Sequence, residues 1–168
     1  MLLMCSSSTK YQVKIIDPEI KHYYPAFAWE VWSILSDPNG WNKAGVSFCP
    51  FGKPQFDIVL ALPETVDELC APLDTGGKVS CAGRDEVVIN FLRWSEGDPS
   101  WSSLSDYRTY VVNHEVGHAL GMLHRKECTD DGLAPLMMQQ SQRKILCKTN
   151  QFPTDKEIRS LKRWRAQK

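Results

Sequence analysis

The sequence predicts an α/β domain of the α+β kind. Three observations carry this. Short strand-like apolar runs alternate with runs of helical spacing. The chain has 168 residues, enough for one domain with a sizeable core. Two Ser/Thr-x-x-acid sequences mark helix starts late in the chain.

Taken in order, residues 1–10 are expected to be a disordered or processed start, and residues 11–168 a single domain. Residues 11–17 place Val13 and Ile15 between polar neighbours and stop at Asp17-Pro18, which reads as a strand. Residues 25–36 carry Phe27, Ala28, Val31, Trp32, Ile34 and Leu35 at helical spacing, with Pro25 suited to the first turn. Asp37-Pro38-Asn39-Gly40 is a turn. A short strand over 46–51 and a stronger one over 56–62 follow. Residues 86–92, with Val87, Val88 and Ile89 in a row, read as a strand buried on both faces. Residues 95–105, rich in Ser, Gly and Pro, are a loop. Ser103 and Asp106 then form a capping box for a helix that runs to about residue 120. Thr154 and Glu157 form another for a last helix, with Ile158, Leu161 and Trp164 on one face and basic residues elsewhere.

Formal net charge is zero, so no bulk field argues for a nucleic-acid partner. No apolar run reaches the roughly 18 residues of a membrane-spanning helix. The six cysteines form no C-x-x-C pair, which argues against a thiolate zinc site. Sequence proximity favours Cys70 with Cys81, across a Gly-rich turn, and Cys128 with Cys147. Only elimination pairs Cys5 with Cys49, and six free buried thiols are the alternative.

The chemistry concentrates in residues 114–124, which match H-E-x-x-H-x-x-G-x-x-H. On a helix, His114 and His118 lie one turn apart on one face and reach a common metal ion. Gly121 adopts the left-handed conformation that ends a helix, and the reversed chain returns His124 as third ligand. Three protein ligands leave a fourth zinc position open, the pattern of a catalytic site. Glu115, beside the first ligand, is placed as general base. The chain has four histidines, and three of them occupy these positions. One catalytic Zn2+ is therefore expected. An amphipathic core helix that happens to carry histidines is the bland alternative.

The extended motif resembles that of the metzincin clan of zinc peptidases. The clan's second mark is a tight turn with a Met beneath the metal, and APLMMQQ at 134–140 is similar to it, with Met137 favoured and Met138 as the other candidate. LCAPLDTGGKVSCA at 69–82, VVIN at 87–90, YVVNHEVGHALG at 110–121 and APLMMQQ also resemble one actinobacterial domain family of unknown function, found mostly in secreted or membrane-tethered proteins. The resemblance implies a twisted mixed sheet, an active-site helix, a Met-turn and a C-terminal helix. It implies a zinc endopeptidase acting on a peptide or protein substrate, a secreted or extracellular setting, and a monomer. It also implies that the substrate lies along the sheet edge at residues 78–81. Two positions depart from the clan. Gln139 or Gln140 stands where some members carry a Tyr, and Arg125 follows His124 where some carry an acid.

The competing functions are a non-catalytic zinc-containing binding module, against which Glu115 argues, and a zinc amidase on a non-peptide amide. Trp101 either lines the cleft or packs on the scaffold, the second being favoured. Asp74-Thr75-Gly76 matches an aspartic-peptidase triplet but has no second copy, and is read as a turn.

Overall fold

The computed structural model describes residues 5–141 and 146–167. It is a mixed α/β fold. Five strands, β1 (Thr9–Ile15), β2 (Phe48–Cys49), β3 (Phe56–Ala61), β4 (Cys81–Ala82) and β5 (Glu86–Asn90), form one sheet in the order β2-β1-β3-β5-β4. β1 runs parallel to β2 and β3, and β3 parallel to β5, whereas β4 is antiparallel to β5. The five α-helices among the described residues are α1 (Tyr24–Ser36), α2 (Pro63–Leu69), α3 (Phe91–Glu96), α4 (Leu104–Ala119) and α5 (Asp155–Arg165).

Period-2 side-chain alternation sorts the central strands between two layers. Ile58 and Leu60 of β3, with Val87 and Ile89 of β5, join a core with Phe27, Val31 and Leu35 of α1 and Val112 and Val116 of α4. Val59, Ala61 and Val88 face the other way, onto Val66 of α2 and the Cys70 side chain. Covered on both sides, β5 has the uninterrupted apolar run that its sequence carries.

Several boundaries differ from the sequence expectation. β1 starts at Thr9, inside the stretch expected to be disordered or processed. Its pairing of Thr9 with Phe48 and the Cys5–Cys49 bond order that stretch from residue 5 onward, while residues 1–4 lie outside the described residues. β5 stops at Asn90 because the Asn90 side chain accepts a hydrogen bond from the Leu92 N–H and so starts α3. The loop expected from residue 95 accordingly begins only after Glu96. α2 was not anticipated, although Pro63 at its first turn was a legible signal. Ser103 accepts from Asp106 N–H, the one half of the expected box that forms, whereas Thr154 with Glu157 completes a reciprocal capping box. Trp32 is not in the core. It is 42% exposed and packs on Trp29 along the outer face of α1, with ring centroids 4.9 Å apart.

Candidate metal centre

Helix geometry supplies the first two ligand candidates. His114 and His118 sit one turn apart on α4, with ring centroids 5.0 Å apart. The helix ends after Ala119, and Gly121 takes a φ of 90°. Only glycine enters this region without strain, and a Cβ here would also press on the Trp164 ring at 3.0 Å. The reversed chain then carries His124 back over the helix. The nitrogens that His114, His118 and His124 offer lie within 4.8 Å of one another. His118 Nε2 and His124 Nε2 are 3.0 Å apart. Two nitrogens bound at roughly 2.0–2.1 Å to a tetrahedral ion are about 3.3 Å apart, so the donor set fits a tetrahedral metal ion.

The outward-facing ring nitrogens are selected by backbone. His114 donates from Nδ1 to the Leu136 carbonyl at 2.8 Å, and His118 from Nδ1 to the Met122 carbonyl at 2.9 Å. A carbonyl only accepts, so each Nδ1 carries the proton and each Nε2 keeps its lone pair for a metal.

The turn at 134–140 lies beneath the helix. Met137 is fully buried against Gly117, one residue before His118. Any Cβ at Gly117 would overlap the Met137 sulfur and come within 2.9 Å of the Trp41 ring, so glycine lets the turn approach. Met138 points elsewhere, toward Cys147 at 3.8 Å. The turn is held from three sides. Glu157 of α5 accepts from Leu136 N–H at 3.1 Å and Met137 N–H at 2.8 Å. The Tyr110 hydroxyl donates to the Met138 carbonyl and accepts from Gln140 N–H, at 3.0 and 2.9 Å. Arg125 N–H donates to the Met137 carbonyl at 3.0 Å. A Cys128–Cys147 disulfide spans the ends of this region, and Cys70–Cys81 ties β4 to α2.

A profile of proteins of unknown function, DUF3152, matches residues 7–160. The chain belongs to that family. Among solved structures it is similar to an archaemetzincin from Methanopyrus kandleri, at 17% identity and a TM-score of 0.47, over 94% of this chain and 96% of that one. No curated protein matches.

In this DUF3152 chain the histidines and Glu115 share one cavity of about 290 Å³ with Tyr107 and Gln139. Burial pushes the Glu115 carboxyl up to about 8. Burial, only partly opposed by the Leu136 hydrogen bond, holds His114 down to about 3. His118 and His124 are also lowered, chiefly by burial. Neutral imidazole is the form that binds a metal.

Of the remaining sequence candidates, Gln139 borders the cavity. Gln140 is buried and spends its amide on the backbone of Pro135 and Asn150. Trp101 stacks on Tyr110 at 5.0 Å and packs against the core. Asp74 forms the expected turn, accepting from Gly76 N–H at 2.9 Å. The sequence reading missed the roles of Tyr110, Gly117 and Glu157 beneath the site. Glu157 was visible as a capping residue, but nothing in its spacing announces its bonds to Leu136 and Met137.

Proposed function

We propose that this chain is a zinc-dependent endopeptidase that hydrolyses peptide bonds. The observation that carries the reading is the convergence of three neutral imidazoles and one buried carboxyl, Glu115, on a single cleft. His114, His118 and His124 would hold the ion. Zinc, when bound, supplies Lewis acidity at a substrate carbonyl and acidifies water to a pKa of about 7.

Glu115 holds and moves the proton. As a carboxylate it takes a proton from the attacking water, and as a carboxylic acid it returns that proton to the leaving nitrogen. Burial raises its pKa above the usual carboxylate range, which favours the acid form that returns the proton. Met137 and Glu157 act from below, by keeping the Leu136 carbonyl on His114. The substrate backbone lies along β4, which begins only at Cys81, the last residue of the edge expected over 78–81. This strand is the last in the sheet, pairs with β5 on one side only, and lends Cys81 and Ala82 to the cleft wall. Three disulfide-bonded cysteine pairs support an extracellular setting. No helix among the described residues is long and apolar enough to cross a membrane.

The test joins metal analysis to proteolysis. Purified protein is expected to hold about one zinc and to cleave an unfolded protein substrate. Glu115→Gln is expected to retain zinc and fold while losing at least roughly a hundredfold in turnover. Absence of zinc after reconstitution defeats the metal assignment. Full activity in Glu115→Gln removes that residue from the chemistry. Hydrolysis of small amides without any peptide cleavage replaces the peptidase with an amidase.

A further inference from the structure

Leu73, Asp74 and Val79, from the loop joining α2 to β4, line the same cavity as the three histidines. The loop is firmly tied. Cys70–Cys81 closes it, Leu73 N–H bonds the Cys70 carbonyl at 2.9 Å, and the Asp67 carboxylate accepts from the Thr75 hydroxyl and from Gly77 N–H. Asp74 is exposed, and its hydrogen bond from Gly76 N–H sets the direction of its carboxylate. Beside it Leu73 is 55% exposed and presents aliphatic surface at the cavity wall.

No Lys or Arg is among the described residues that line this cavity, so no basic side chain of its wall pairs with Asp74. A fixed carboxylate next to exposed aliphatic surface is complementary to one class of side chain. Lysine and arginine carry a cationic head on an aliphatic stem, and both parts are matched here. We propose that Leu73, Asp74 and Val79 form a subsite that selects substrates with a Lys or Arg side chain near the scissile bond. The assignment rests on the peptidase reading above.

Paired peptides test it with the zinc-loaded protein, each pair differing by arginine against citrulline or lysine against norleucine on either side of the cleaved bond. For an exposed ion pair the charged member is expected to be favoured in kcat/KM by roughly threefold to fivefold, mainly through KM. The preference is expected to fade as ionic strength rises. Asp74→Asn keeps the oxygen that accepts from Gly76 N–H, so the loop survives and the ratio is expected to fall to about one. Asp74→Lys is expected to invert the selection toward glutamate peptides. If peptides are cleaved but the charged and neutral members react alike, or the Asp74→Asn ratio equals that of the parent, this subsite is refuted and the peptidase stands. If no peptide in the panel is cleaved, the peptidase reading falls and the subsite with it.

Discussion

Replacing Gly117 with alanine adds one methyl group at the tightest point beneath the candidate site. In an unconstrained helix this change stabilises by about 1 kcal/mol, because alanine loses less backbone entropy. Here the new Cβ overlaps the Met137 sulfur and lies 2.9 Å from Trp41 Cζ2. Trp41 yields least: it is fully buried and donates its indole N–H to the Asn113 carbonyl at 2.9 Å. The Met137 backbone is fixed by its N–H bond to Glu157, so its flexible thioether must turn aside within a closed core. Overpacking of a closed core costs about 1–3 kcal/mol, and a clash on two sides places this case at the upper end. After the helix-propensity gain, the net loss is about 2 kcal/mol. For a domain of this size that lowers Tm by about 4–8 °C. The damage extends to the metal, since moving Met137 shifts the adjoining Leu136 carbonyl off His114. Loss of such a supporting bond weakens metal binding by roughly tenfold to a hundredfold. Calorimetry of the metal-free protein and zinc titration against a competing chelator measure the two effects. A Gly117→Ala protein that melts at or above the parent temperature, with unchanged zinc affinity, would refute the close packing of turn and helix.

Three further outcomes are expected. Glu157→Gln leaves a single side-chain acceptor for Leu136 N–H, Met137 N–H and Thr154 N–H, so one buried donor loses its partner at about 1–3 kcal/mol, read as a lower Tm; an unchanged Tm would remove Glu157 as the anchor. His114 titrates near 6.5 when unfolded but is held to about 3 in the fold, so the unfolded chain binds the extra proton. Its contribution to the stability of the metal-free protein is thus fully present above pH 6.5 and lost as pH falls toward 3, with a shallower slope for His114→Gln; identical pH–Tm curves for the two proteins would contradict this. Reduction of Cys128–Cys147 is expected to weaken zinc binding while α4 stays folded, because the bond brackets the Met137 turn but not His114 or His118; zinc affinity indifferent to reductant would show that the turn holds without it.

What could be read in the sequence was what is local. The α/β class followed from alternating periodicities, and the strands β3 and β5 followed from apolar runs that two covering layers demand. The spacing of His114 and His118 fixes their shared face because a helix repeats every 3.6 residues. Gly121 announced the chain reversal because few other residues tolerate its φ. Boundaries slipped where a side chain intervened, as at Asn90, which ends one element and caps the next.

The tertiary structure decided everything that depends on residues far apart in the chain. The sequence favoured Met137 and left Met138 as a candidate, and the packing of the turn under Gly117 separates them. Between Gln139 and Gln140 the choice came from Asn150, ten residues on, which claims the Gln140 amide. Cys5 meets Cys49 because β1 and β2 pair in parallel, a register that neither strand encodes alone. Glu157 sits about twenty residues from the turn it supports, and Asp74 lines the cleft from a loop tied by Cys70–Cys81 and by Asp67. Local rules bind residues within a turn or two of each other. The site itself is assembled from long-range contacts, whose partners are chosen by burial and hydrogen-bond satisfaction across the whole fold.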